Sequence, residues 1–144
     1  MLDIDYILAS YIVANEAFAQ ARTEQSAAKR DEAELQQFVM ECAFYVLVFS
    51  RFEDSLKERA QAVINDRLKD ARWISSGNVL DVDRLAFMNL VGILFRPGDT
   101  DYNTIKRRYD DRNKIAHGSL VETGTLIPQL IAELETLESR FPVL

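Results

Sequence analysis

A single histidine, His117, stands in this chain of 144 residues. Arg112 and Asn113 precede it by five and four positions, and Gly118 follows it directly. Histidine is the side chain that gains and loses a proton near neutral pH. Arginine presents a planar fork that matches phosphate or carboxylate oxygens, and asparagine both donates and accepts hydrogen bonds. Together the three could hold an anionic substrate and move a proton on it. Upstream, Ile105-Lys106-Arg107-Arg108-Tyr109-Asp110-Asp111 reads as helix and carries the densest basic cluster in the chain. Gly118 then fits the left-handed position just past a helix end, which leaves His117 on the last turn.

On an ideal helix, residues four apart lie about 40° from each other and residues five apart about 140°. Asn113 and His117 therefore share a face, and Arg112 turns away from its own His117. One copy of the motif does not easily close a site. Two copies related by a two-fold axis could, with Arg112 of one chain near His117 of the other. Metal-free RNA cleavage suits such a pair. It needs a base to activate the 2′-hydroxyl, an acid to protonate the departing 5′-oxygen, and positive charge on the phosphoryl oxygens. A chain with one histidine supplies one proton-transfer group, and a homodimer supplies two. In this scheme His117 performs the acid/base chemistry, Arg112 binds the phosphate, and Asn113 orients imidazole or substrate. The helix C-terminus favours the imidazolium. Lys106, Arg107, Arg108 and Lys114 extend a positive strip for the RNA, partly cancelled by Asp110 and Asp111.

Other chemistries lack their residues. The five glycines are scattered and form neither a phosphate loop nor a dinucleotide fingerprint. One His and one Cys do not build a usual zinc site. The acidic groups around Asp81-Asp83 and Asp99-Asp101 lack the calcium-loop pattern and read as helix caps. No nucleophile elbow is present, so neither a metal nor a cofactor is expected.

Size and composition set the frame. Residues 1–144 fit one domain with one sizeable core. The 48% hydrophobic content is ordinary for a globular protein, and no apolar run approaches the ~20 residues of a membrane span. The acidic start Met1-Leu2-Asp3-Ile4-Asp5 argues against a secretory or transit leader. A lone cysteine, Cys42, makes no internal disulfide, so a reducing cytoplasm is the expected compartment. The formal charge of −6 works against indiscriminate nucleic-acid binding. It suggests a narrow RNA substrate, or a neutralising partner that masks a local basic cleft.

The elements that must position the motif all read as helix. Ile7, Leu8, Tyr11, Ile12 and Phe18 fall at amphipathic spacing in a first helix from Ile4 that fades near Ala27-Ala28. Asp31-Glu32-Ala33-Glu34 resembles a capping box opening a long second helix from about Glu32 to about Leu68. That helix is striped at its ends by Leu35, Phe38, Val39 and Cys42 and by Phe52, Leu56 and Val63. Its centre, Ala43 to Phe49, is apolar all round, which implies enclosure by its own domain or by a partner chain. Asp70 to Asn78, with Trp73 and Ser75-Ser76-Gly77-Asn78, reads as loop. A third helix is expected from Val82 to Phe95, capped by Asp81 and ended by Pro97-Gly98. A fourth runs from Asp101 to His117, capped by Asp99 or Thr100, with Tyr102, Ile105, Tyr109 and Ala116 inward. Thr125 can cap a fifth with Pro128 in its first turn, its apolar face formed by Leu126, Ile127, Leu130, Ile131, Leu134, Leu137 and Phe141. A short ribbon over Ser119 to Thr123 is the one strand-like stretch. The expected fold is all-α, a bundle of four to five helices with a long second helix.

Arg112-Asn113-Lys114-Ile115-Ala116-His117, in an all-α chain with a long second helix and the motif on a late helix, resembles HEPN domains. It matches their Arg-x(4–6)-His signature in its Arg-Asn-x-x-x-His form. The resemblance implies a HEPN-like helical homodimer with a composite, metal-independent ribonuclease site between subunits. It also implies a place in toxin–antitoxin or phage-defence systems, with an antitoxin or similar protein partner. A polar residue on an earlier helix often supports the motif in that family, and Arg51 or Glu53 could fill this role. Some toxins of the family are controlled through a tyrosine two residues after the histidine. Here that position is Ser119, so the control is not implied. The alternative reading is a non-catalytic HEPN-like module that binds a protein or nucleotide partner.

Overall fold

The computed structural model describes residues 4–23, 26–69 and 85–144. Five α-helices account for the regular structure there: α1 (Ile4–Thr23), α2 (Ala27–Arg67), α3 (Phe87–Leu94), α4 (Thr100–Ala116) and α5 (Ile127–Ser139). No strand occurs among the described residues, so the expected ribbon over 119–123 is irregular chain instead. At 1.5 Å per residue the 41-residue α2 is about 60 Å long. Among the described residues it packs against each of the other four helices.

Helix α2 begins earlier than its sequence signals predict. Ser26 is the N-cap residue, although its side chain makes no capping hydrogen bond, and Asp31 and Glu34 lie exposed inside the helix. Ala27-Ala28-Lys29-Arg30 are strong helix formers, so the helix propagates back through them and the expected capping box does not form. Helix α1 ends at Thr23, before the expected Ala27-Ala28. It then lies antiparallel along α2. Tyr11 packs edge-on against Phe44 with ring centroids 5.5 Å apart, Gln37 Nε2 donates to Asn15 Oδ1 at 2.8 Å, and Arg22 pairs with Glu34 at 3.1 Å.

The core gathers around the middle of α2. Phe49 meets Phe52, Phe87 and Tyr109 at ring separations of 5.7, 5.8 and 6.3 Å, and Phe87 meets Tyr109 at 4.6 Å. Phe141, beyond α5, closes the cluster against Phe52 and Phe95. Among the described residues the chain encloses most of the apolar stretch of α2. Tyr45, Val48 and Phe49 are buried, Phe44, Val46 and Leu47 are half-buried, and Ala43 is exposed. Leu35, Val39 and Ile12, expected on inner stripes, are 57%, 48% and 45% exposed. Hydrophobic spacing fixes a face, but among the described residues no third helix covers these three side chains.

Among the described residues helix α3 starts at Phe87, because Ala86 before it has extended backbone, and the expected start at Val82 lies outside the described residues. Asp81 and the 70–78 stretch with Trp73 lie outside the described residues. Pro97-Gly98 makes the expected turn. Gly98 has φ +91° and the Asp99 N–H donates to the Arg96 carbonyl at 3.1 Å, the arrangement that needs proline and glycine in that order. At the start of α5 the capping residue is Leu126 rather than Thr125. Gln129 Oε1 accepts from the Leu126 N–H at 3.3 Å, and the Thr125 carbonyl accepts from the Thr123 hydroxyl. Leu126 is consequently exposed rather than part of the apolar face.

One polar cluster locks three helices. Arg108 on α4, 8% exposed, grips Glu133 on α5 through Nε–Oε2 at 2.7 Å and Nη2–Oε1 at 3.2 Å. Its backbone carbonyl accepts from the buried Tyr45 hydroxyl of α2 at 3.2 Å, and its Nη1 reaches the Thr123 carbonyl at 3.5 Å. Burial holds the Tyr45 hydroxyl protonated well above its ordinary range. Removing the guanidinium strands the Glu133 carboxylate. Arg108→Ala should lower unfolding stability by about 3 kcal/mol. Arg108→Lys should recover less than half of that, since lysine cannot make the two-pronged contact; urea unfolding measures both.

Candidate functional site

Helix α4 carries the motif, and its rotation decides what each residue faces. Ile105 is fully buried and Arg108 nearly so. Arg112 lies about 20° from Ile105 around the axis at 100° per residue, so it points inward as well. Lys106, Asn113 and His117 fall together on the next side, and Arg107 and Lys114 on the outer side. The four cations read as one positive strip therefore divide among three sides of the helix. Arg108 belongs to the core pair with Glu133, a correction that follows from its position one turn before Arg112 on the inner face. Lys106 is held by Asp110 at 2.8 Å. Arg107 and Lys114 are exposed and form no ion pair with a described residue. Ala116, expected inward, is exposed with residues 117–120, because the helix end projects past the core.

Arg112 meets Glu53 of α2, with Nε 3.3 Å from Oε1, and its Nη1 donates to Asn113 Oδ1 at 3.0 Å. Lys57, one turn along α2, approaches the other carboxylate oxygen at 4.0 Å. Glu53 is 8% exposed. Burial raises its carboxyl above the ordinary range, and the charges of Arg112 and Lys57 oppose that rise. The Nε–Oε1 approach is a charge contact without hydrogen-bond alignment, so both atoms remain buried and unsatisfied. Of the two supporting residues considered, Glu53 is the one that reaches the motif. Arg51, two positions earlier, points to another side of α2 and lines a small cleft with Glu135 and Glu138 of α5. There its charge offsets the burial that raises the Glu138 carboxyl.

His117 closes α4 as its C-terminal cap, and its ring is exposed. The Ser119 N–H donates to the Lys114 carbonyl at 3.0 Å and the Gly118 N–H to that of Ile115 at 2.9 Å. This paired closure requires left-handed backbone at Gly118, whose φ is +92°. The geometry of one chain thus holds Asn113 and His117 on one side, with Arg112 turned in toward α2. Among the described residues no cluster of His, Cys, Asp or Glu is arranged to hold a metal ion, and no helix is long and apolar enough to cross a membrane. No known family, curated protein or solved structure matches the chain.

Sequence reasoning missed Lys57 and Glu133. Lys57 was findable as a cation one turn from Glu53 on the same helix. Glu133 was not, since only the packing of α4 on α5 brings it to Arg108.

Two stability outcomes follow. Gly118→Ala should destabilise by about 1 kcal/mol through backbone strain, seen as a lower urea midpoint. For Arg112→Ala the sign runs through Glu53. A carboxyl with a raised folded-state pKa binds its proton more readily folded than unfolded, so its ionisation lowers stability as pH rises through the carboxylate range. Removing Arg112 enlarges that penalty. The variant should lose about 1–2 kcal/mol at pH 7, discounted for partial exposure, and distinctly less below about pH 5. In a Glu53→Gln background most of the loss should vanish, which urea unfolding against pH will test.

Proposed function

We propose that this chain is a HEPN-type, metal-independent endoribonuclease, a cytoplasmic homodimer that serves as the toxic effector of a toxin–antitoxin or phage-defence pair. The observation that carries this reading is the arrangement at the end of α4. There, Arg112 is anchored by Glu53 of the long helix, Asn113 touches the guanidinium, and His117 stands exposed one turn beyond. In the proposed reaction two such ends face each other. The His117 ring of one subunit removes the 2′-hydroxyl proton and that of its partner protonates the departing 5′-oxygen. Arg112 neutralises charge on the phosphoryl oxygens. Glu53 fixes the reach of Arg112, while Lys106 on the same side as His117, and Arg107 and Lys114 on the outer side, contact the RNA backbone. A neutralising protein partner that covers this end fits the overall acidity.

One observation favours the rival reading, a non-catalytic helical module that binds a protein or nucleotide. The Arg112 guanidinium is half-buried and already engaged by Glu53 and Asn113. That leaves less of its fork for a phosphate.

An RNA oligonucleotide incubated in EDTA separates the two. The nuclease reading expects cleavage that falls at least about 100-fold in His117→Ala, whose exposed ring leaves folding intact. It also expects slowed growth on overexpression that the same change relieves. Absence of cleavage, or activity that survives His117→Ala, rules the nuclease out. Light scattering that finds only monomers removes the composite site.

A further inference from the structure

A cavity of about 480 Å³ lies between the first half of α2 and the 121–127 segment, and neither Arg112 nor His117 lines it. Its volume falls within the ~300–1,000 Å³ of small-molecule sites. Phe38, Cys42, Tyr45 and Ile127 give it an apolar floor, with Phe38 and Tyr45 as its aromatic members. Cys42 is buried there, its Sγ donating to the Val121 carbonyl at 3.6 Å and tying the floor to the wall.

The charges at the mouth are of mostly one sign. Glu34, Glu41 and Glu122 face a single cation, Arg22, which is already paired with Glu34 at 3.1 Å. Glu41 accepts from the Tyr11 hydroxyl at 2.5 Å. Burial and that carboxylate keep the hydroxyl protonated, so it does not cancel the Glu41 charge. Glu122 is exposed and makes no ion pair with a described residue. An anion would meet the carboxylates of Glu41 and Glu122, which pair with no cation among the described residues, whereas a cation would gain both those charges and contact with the aromatic rings in the lining.

We infer that this cavity binds a small organic cation, a protonated amine on an aromatic or aliphatic body. The body rests on Phe38 and Tyr45 and the charge lies among Glu34, Glu41 and Glu122. The site is independent of the nuclease reading. Because Tyr45 and Thr123 both bond to Arg108, an occupant bears on the segment that leads away from His117.

The test compares 1-naphthylmethylamine with naphthalene-1-methanol and 1-naphthoate, three probes that share one body and differ in charge, by calorimetry and by backbone amide shifts of the full chain. The amine should bind, the alcohol at least about tenfold more weakly and the acid not measurably, with shifts concentrated in residues 34–45 and 121–127. Glu34→Gln and Glu122→Gln, both on exposed side chains, should each weaken the amine about two- to fivefold, and added salt should weaken it further. Equal affinity for amine and alcohol, shifts centred elsewhere, or no binding of the amine at millimolar concentration would overturn the assignment.

Discussion

A guanidinium taken out of water constrains everything around it. Arg108 sits under α4 with its fork on Glu133, its carbonyl on Tyr45 and a further contact to Thr123, so one residue ties α2, α4, α5 and the segment before α5. A buried charge keeps its place only while these partners keep theirs. The azimuth of α4 is therefore fixed, and with it the side on which every later residue emerges. Arg112, one turn on, is directed to Glu53, and Asn113 and His117 are left to face outward.

This arrangement places two kinds of arginine on one helix. Arg108 is satisfied by two carboxylate oxygens and has a structural role. Arg112 approaches Glu53 without good hydrogen-bond alignment, and buried atoms on both sides of the contact go unsatisfied. Such an imperfect contact costs stability. In the proposed enzyme that cost accompanies a guanidinium held near, but not wholly consumed by, its carboxylate, with Lys57 keeping Glu53 partly occupied from the other side.

The long helix has two environments. From Tyr45 to Ile64 it forms the floor of the core, while from Ala27 to Val39 it lies along α1 and shows Leu35 and Val39 to solvent. That thin cover explains why the apolar stripe at this end stays partly exposed. It also opens the cavity beside Phe38 and Cys42, where the 121–127 segment stands across from α2 instead of a helix.

The helical class, the dominance of the second helix, the turn at Pro97-Gly98 and the stop at Gly118 were legible in the residues, because spacing, proline and glycine act locally on the backbone. The burial of Cys42 was legible too, from its place in an apolar run. The start of α2 was misjudged because two adjacent local signals competed, the Asp31 box and the helix-forming residues before it. The division of the basic cluster into a core clamp, a helix-surface pair and exposed cations depended on how α4 is rotated against α2 and α5. Choosing Glu53 over Arg51 depended on which side of α2 meets α4. Both are long-range packing outcomes: one residue of rotation is about 100° on a helix, and nothing within the motif itself sets that angle.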